Sequence, residues 1–462
     1  MSLWSSKDAV KATSGVSHIN WVANGISIDT RTLKMGDLFV ALKDQRDGHE
    51  YIKIAFEKGA AAALVSRVPD GLNENFPLLI VDDVLSALES MAEFARERTH
   101  AKVIGITGSV GKTSTKEMLK SVLIANGKTH AAERSYNNHW GVPLTLARMP
   151  KETDFAVIEI GMNNPDEIRP LAKLAKLDVA IVLNVAPVHL KAFKNIEGIA
   201  YAKAEIFENL SSSNTAIVNS DLSTFDILID TVQKVRSKLI TFGHTDVADY
   251  KLISSSRYGN KTSVTAKMNN LDFNFYFGAE GDHFAINAMS VFAAAEAVGI
   301  ERKNIGNAFS TWQAPSGRGK RSTIRIGTGK IELIDESYNA NPISMEAAIN
   351  VLSQSESSGR KVAILGDMGE LGENEMLFHS NLAKIQSIKA IDILYLVGPM
   401  MRCLKKELPS QKQCLWFESV DELIKEIENL VIINDTIMVK GSNYTKVSKI
   451  VEKLKDLGND AR

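Results

Sequence analysis

Residues 104–114, Ile-Gly-Ile-Thr-Gly-Ser-Val-Gly-Lys-Thr-Ser, constrain the fold more than any other stretch of the chain. They read as an apolar strand, a glycine-rich turn and a Lys-Thr pair that opens a helix. Glycine lets backbone N–H groups turn inward with no Cβ in the way. The first turn of a helix adds donors without intrahelical partners and the positive end of its dipole, so such a turn suits a phosphate. In that reading Lys112 reaches the β- and γ-phosphates, and the Thr113 hydroxyl sits on Mg²⁺. Only two residues separate Gly108 from Gly111, whereas the common G-x-x-x-x-G-K-[ST] loop has four between its glycines.

The rest of the chain repeats the strand-then-helix theme. At 462 residues the length predicts roughly three domains. Before residue 98, strands are expected at 39–42, 63–65 and 77–81, with a helix over 85–99. Strands at 155–160, 179–183 and 215–218 then alternate with helices, as in a parallel sheet with crossover connections. Between 249 and 278 the apolar period changes to two, which predicts a small antiparallel insertion. An alanine-rich helix over 284–298 follows, and Ala314-Pro315-Ser316-Gly317-Arg318-Gly319 reads as a linker. Strands at 331–335, 362–366, 393–397 and 437–439 predict a second doubly wound unit. The expected fold is therefore α/β, with domains at 1–98, 99–313 and 314–462.

Charge and cysteine content narrow the function. The 54 basic and 55 acidic side chains leave a net charge of −1, which argues against non-specific nucleic-acid or anionic-membrane binding. No apolar run approaches the length of a membrane span, and the first residues lack a signal-peptide core. Cys403 and Cys414 form neither a disulfide framework nor a C-x-x-C pair, so the reducing cytoplasm is the expected compartment.

Three further residues stand where a ligand would bind. Glu159 ends the apolar strand at 155–158, and His189 follows the strand at 181–183. Lys203 lies fourteen residues beyond His189 on a helical stretch. Ligands of open α/β sheets bind beyond the carboxyl ends of the strands, so Glu159 and His189 should face the crevice of Lys112. Carboxylate, imidazole and threonine hydroxyl together offer a site for Mg²⁺. Taken singly, Glu159 reads equally as a solvated carboxylate, His189 as a structural histidine and Lys203 as an exposed helix lysine. Their order and spacing behind the glycine turn single them out.

The segment 107–115 resembles the T-G-x-x-G-K-T-[ST]-T loop of the Mur ligases, which make peptidoglycan precursors. The resemblance implies nucleotide contacts from Thr107, Gly108, Ser109, Val110, Gly111, Lys112, Thr113 and Ser114. Asn137-Asn138-His139-Trp140-Gly141-Val142-Pro143 is similar to the family's N-x-x-G-x-P segment and implies a role for Asn138. Lys203-Ala204-Glu205-Ile206-Phe207 resembles the K-x-x-[IL]-F helix, whose lysine is carbamylated in most members. His283 and Asn287 match an H-x-x-x-N of the nucleotide site, and Arg318 and Asp335 match two positions from the third domain.

The outer segments resemble the D-alanyl-D-alanine-adding branch of that family. Residues 335–342, Asp-Glu-Ser-Tyr-Asn-Ala-Asn-Pro, match its D-x-x-Y-N-A-N-P, and no D-N-P-R of the lysine- or diaminopimelate-adding branch occurs. Residues 366–373 also match, as do Asp29-Thr30-Arg31, residues 36–42 and Asp47-Gly48-His49. Asn443 departs from the arginine that many members carry after K-G-S, and it is given no role.

The resemblance implies an ATP-dependent amide synthesis in cell-wall biogenesis. The terminal carboxylate of a UDP-N-acetylmuramoyl-tripeptide would become an acyl phosphate, which the amine of D-Ala-D-Ala attacks. Lys112, Glu159, His189 and Lys203 would be catalytic. Thr113 and Glu159 would hold one Mg²⁺, and His189 with carbamylated Lys203 a second. Ser27, Asp29, Thr30, Arg31, Asp47, Gly48 and His49 would grip the UDP substrate. Tyr338, Asn339 and Asn341 would receive the dipeptide. A cytoplasmic monomer without nucleic-acid partners is expected. A folylpolyglutamate synthetase shares the loop and the lysine but lacks a UDP-binding domain. A guanine-type switch protein should carry N-K-x-D, and none occurs.

Overall fold

The computed structural model describes residues 2–72, 76–187, 192–258 and 261–458. Three sheets follow one another along the chain, with a two-stranded ribbon (Trp4–Ser5 and Val22–Ala23) ahead of them. The first sheet has four parallel strands, Gly25–Ser27, Asp37–Val40, Ala62–Val65 and Leu78–Ile80. One face packs on its own cluster of Phe39, Ile52, Ala63, Val65 and Leu78, while on the other Trp4, Leu38, Leu64 and Leu88 share an apolar cluster with Leu144 and Ala147 of the next unit. The Trp4 indole donates to Ala147 O at 2.8 Å, and Arg148 Nε donates to Ile26 O at 2.8 Å. Helix Val84–Glu97, capped by Asp83 accepting from Ser86 N, packs along helix Gly141–Ala147 between the two units.

The second sheet has nine strands. Lys102–Thr107 runs between Phe155–Glu159 and Val179–Val182, all parallel, so the carboxyl ends of these three open at one place. Thr129–Ala131 forms one edge, and Thr215–Asn219 and Lys238–Gly243 continue the parallel run on the other side. The period-two stretch supplies Tyr250–Tyr258, Lys261–Met268 and Leu271–Phe277. These are not a separate insertion but extend the main sheet, because Tyr250–Tyr258 pairs in parallel with Lys238–Gly243. The alanine-rich helix Asp282–Ala297 closes this face, burying Phe284, Met289 and Phe292 against Phe275 and Phe277.

The third sheet orders Lys320–Ile326, Gly329–Glu336, Thr436–Lys440, Lys361–Gly366, Ile393–Val397 and Gln413–Phe417. All neighbours are parallel except the first hairpin. Two apolar clusters, one on each face, bury it under helices. Among the described residues no helix is long and apolar enough to cross a membrane.

One edge histidine gives the fold a pH dependence. The His130 ring lies 2.7 Å from Thr145 O through Nε2. Burial pushes its pKa from 6.5 down to about 4, against the opposing hydrogen bond. The native ring stays neutral where the unfolded one is protonated, so unfolding takes up a proton between those values. Stability should therefore fall as pH falls through that window. His130→Gln keeps a donor for Thr145 O and cannot titrate, so denaturant midpoints should flatten there. The same slope in both proteins would count against the assignment.

Candidate active site

The glycine turn is held from behind by residues far away in sequence. Val110 N donates to Asn184 Oδ1 at 2.9 Å, and Asn184 Nδ2 returns a bond to Val110 O at 3.0 Å. Ser109 N donates to Asn184 O at 3.1 Å, and the Ser109 hydroxyl donates to Ala186 O. Gly111 sits at φ 83°, and a Cβ there would come 2.8 Å from Asn287 Nδ2, so the position requires glycine. Helix Lys112–Ile124 starts immediately after it. The Lys112 ammonium folds back onto Gly108 O at 2.7 Å. Burial lowers its pKa, Glu159 opposes this, and Arg318 adds to the lowering.

Beside Lys112, the Thr113 hydroxyl donates to Glu159 Oε2 at 2.8 Å and lies 2.9 Å from Ser135 Oγ. Asn137 Nδ2 donates to Glu159 Oε1 at 2.7 Å. Arg318 reaches across from the third unit, its Nη2 donating to Ser135 Oγ at 3.3 Å while its guanidinium lies 3.9 Å over the Tyr338 ring. A threonine hydroxyl and a buried carboxylate next to a phosphate turn fit Mg²⁺, which takes few protein ligands and keeps water and phosphate oxygens. No cluster of three or more His, Cys, Asp or Glu gathers for a metal among the described residues.

These groups line a cavity of about 550 Å³. One wall is the turn from Ser109 to Ser114 with Asn137 and Glu159, another is His283 and Asn287, and the third unit closes it with Arg318, Glu336, Tyr338, Asn339, Asn341 and Lys440. Burial pushes the His283 ring toward its neutral form. Several expected residues are elsewhere. Thr107 is fully buried and outside the lining, as is Gly108. Asn138 accepts from Gly141 N at 2.9 Å, and it is Asn137 that faces Glu159. Asp335 does not line the cavity. It accepts from Gly317 N at 2.9 Å and from Ser337 Oγ at 2.6 Å, holding the turn that carries Arg318. Asn341 lines the cavity, and its side chain also caps helix Pro342–Gln354 by accepting from Ser344 N at 2.9 Å.

Lys203 ends helix Ile196–Ala204 and is 2% exposed. Its amine makes no hydrogen bond among the described residues, while its carbonyl accepts from Glu205 N. Burial and the nearby Lys112 hold its amine well below the ordinary lysine value. Glu205, two residues on, accepts from Asp166 N, Ile168 N and Arg169 N and so ties this helix to its neighbour. His189 lies outside the described residues.

A second cavity, about 1090 Å³, opens beside the first sheet. Asp29, Thr30, Arg31, Gly48 and His49 line it, together with Lys43, Arg46, Arg67 and Arg134. Ser27 and Asp47 act behind this lining. The Ser27 hydroxyl donates to Asp29 O, and Asp29 accepts from Arg31 N and from its guanidinium. Asp47 accepts from His49 N at 3.0 Å and from Arg67 Nη2 at 2.7 Å, which holds its carboxyl well below the usual range. Ser66 N donates to His49 Nε2, so the ring proton sits on Nδ1 toward Asp47. The segment 134–140 is shared: Ser135 and Asn137 face the first cavity, while Arg134, Tyr136, His139 and Trp140 face the second.

Ser135, Asn137, Asn184, Glu336 and Lys440 were not singled out from sequence, nor were the cations of the second cavity other than Arg31. Asn137, Glu336 and Lys440 each carried a signal, inside the quoted N-x-x-G-x-P, D-x-x-Y-N-A-N-P and K-G-S stretches, and Ser135 and Asn184 carried none.

Fold and site together define an α/β protein with a glycine-rich phosphate-type turn on one unit and a cavity over it walled by another. Residues 106–295 match the family model of the Mur ligase middle domain, and residues 320–443 match that of the Mur ligase glutamate ligase domain. The chain belongs to the Mur ligase family. It is 34% identical over 452 residues to the UDP-N-acetylmuramoyl-tripeptide--D-alanyl-D-alanine ligase of Rickettsia prowazekii, covering 97% of this chain and 99% of that protein. The protein of the same name from Bacillus subtilis is 33% identical, covering 94% and 93%. The crystal structure of MurF from Acinetobacter baumannii superposes with a TM-score of 0.84 at 27% identity, covering 98% of this chain and 99% of that one.

Proposed function

We propose that this chain is an ATP-dependent ligase that joins D-Ala-D-Ala to UDP-N-acetylmuramoyl-tripeptide, giving the pentapeptide precursor of peptidoglycan. The observation that carries the reading is the single cavity walled by both the Ser109–Ser114 turn and the Tyr338–Asn341 segment. It lies in a chain similar along nearly its whole length to ligases of that name.

A carboxylate is a poor electrophile, so it must first gain a leaving group. Its oxygen attacks the γ-phosphorus of ATP, the bond to the β-phosphate oxygen breaks, and ADP and an acyl phosphate result. The amine of the dipeptide then attacks the acyl carbon, and phosphate departs. Both first-step reactants are anionic, so positioning and charge neutralisation dominate. The N–H groups from Gly111 into the first turn of helix Lys112–Ile124 hold the phosphates, those of Ser109 and Val110 being bonded to Asn184, and Lys112 faces the transferring group. Arg318, braced by Tyr338, brings a second cation from the third unit. Mg²⁺ held by Thr113 and Glu159 supplies charge neutralisation on the phosphate oxygens. Lys203, as a carbamate, and His189 are assigned to a second cation. The cationic second cavity takes the UDP end, with Asp29, Asp47 and His49 fixing its loops. That cavity favours this reading over a folylpolyglutamate synthetase. The division of labour follows the boundaries 1–98, 99–313 and 314–462, in a cytoplasmic monomer.

The test is mass spectrometry of the product from defined substrates. Phosphate release should need ATP, Mg²⁺, the UDP-tripeptide and D-Ala-D-Ala together, and the product should be their condensation. Equal turnover with D-Ala alone or with glutamate would sink the assignment.

A further inference from the structure

The second half of the reaction needs a proton acceptor. An α-amine has a pKa of about 8, so near neutrality most of the incoming dipeptide is an ammonium with no lone pair to donate. Among the described residues two carboxylates line the 550 Å³ cavity, those of Glu159 and Glu336. Both oxygens of Glu159 already accept, from Thr113 and Asn137. Asp335, next in sequence to Glu336, is turned away to Gly317 and Ser337.

Glu336 is differently placed. It ends strand Gly329–Glu336 and lies in register with Lys440, which ends the adjacent parallel strand Thr436–Lys440. Lys440 Nζ lies 3.4 Å from Glu336 Oε2 and donates to Asn339 O at 3.0 Å. The lysine side chain is 3% exposed, whereas the glutamate keeps 15%. A buried ion pair gains little for stability over apolar packing, so its place in this wall calls for another account. The other charged or titratable groups facing the pair are His283, from helix Asp282–Ala297, and Arg318. Burial drives His283 toward the neutral ring, which makes it a poor holder of a proton.

Resting on the ligase reading of this cavity, we propose that Glu336 is the general base for the dipeptide amine, with Lys440 the residue that positions its carboxylate. One proton passes from the ammonium to Glu336. The freed lone pair forms the C–N bond at the acyl carbon, the bond from that carbon to the phosphate oxygen breaks, and the second N–H proton leaves with the phosphate.

The test separates the two halves of the reaction. Hydroxylamine is neutral at assay pH and traps an acyl phosphate as a hydroxamate without this base. Glu336→Gln keeps the shape and a bond to Lys440 but cannot take a proton. Its kcat/KM for D-Ala-D-Ala should fall about a hundredfold, while hydroxamate formation stays within about threefold of the unaltered protein. Lys440→Met should lower kcat for dipeptide transfer about tenfold with the KM for D-Ala-D-Ala nearly unchanged, because the carboxylate loses the neighbour that orients it, and Lys440→Arg should recover part of the loss. Wild-type dipeptide transfer by Glu336→Gln, or a parallel loss of hydroxamate, overturns the proposal. An unchanged kcat for dipeptide transfer in Lys440→Met removes the role of Lys440. Failure of the ligase reading shows separately, as unaltered protein that makes neither hydroxamate nor dipeptide product.

Discussion

Lys203→Ala should lose roughly a thousandfold in kcat, and formate or acetate should restore part of it. The amine it removes is 2% exposed and has no hydrogen bond among the described residues. An isolated buried cation would be costly, and burial with Lys112 nearby favours the neutral amine. A neutral amine can add CO₂: the N–C bond forms, a proton leaves, and the side chain ends in two anionic oxygens. That converts an amine into a hard oxygen donor suited to Mg²⁺. Small carboxylates can enter the space that alanine leaves and supply the same oxygens. Depleting CO₂ and bicarbonate should slow the unaltered protein, and adding them back should restore it. Truncating so buried a side chain also costs packing, so the thermal midpoint should fall, and rescue by formate is read on the folded variant at assay temperature. Wild-type turnover by the variant, or indifference to every small carboxylate, would remove the carbamate role.

Lys112→Met should also cost about a thousandfold in phosphate release, with the fold intact. The ammonium donates to Gly108 O of its own turn at 2.7 Å. When phosphates occupy the turn, their oxygens are the stronger acceptors, and the side chain transfers to them. Methionine fills similar space and offers no charge. Since burial already works against the lysine cation, the thermal midpoint should hold or rise while ATP-dependent turnover collapses. A drop in midpoint of several degrees would instead make Lys112 a structural residue whose loss of activity is secondary. Titration with a fluorescent nucleotide distinguishes a lost phosphate contact from lost folding.

How much of this was legible follows from the range of each signal. The turn at 108–111 could be read because strand, glycines and helix start lie within a dozen residues and each has a local cause. The hairpin strands after residue 249 could be read from their period of two, although not their pairing onto the main sheet, which depends on an edge the chain left open earlier. The short edge strand Thr129–Ala131 has no pattern long enough to show. In the site, Glu159 and Lys112 were legible as strand-end and loop residues. Glu336 and Lys440 were not: they stand 104 positions apart and meet only through strand register. Asn138 and Asn137 differ by one position, and only the backbone path decides which one caps helix Gly141–Ala147 and which one reaches Glu159. Asp335 was read as a ligand group, but its carboxylate is used in shaping the Gly317 turn.

The strip from Arg134 to Trp140 turns alternate side chains to the two cavities. Tyr136 packs on Trp140 with ring centroids 5.6 Å apart, while Ser135 beside it meets both Thr113 and Arg318. A ligand that shifts the backbone at Tyr136 moves Ser135 as well, since one planar peptide bond joins them. Affinities measured at one cavity are therefore conditional on the occupancy of the other, and the conditional factor is the same in both directions. An inhibitor screen run with either cavity empty ranks compounds for a protein different from the one that turns over.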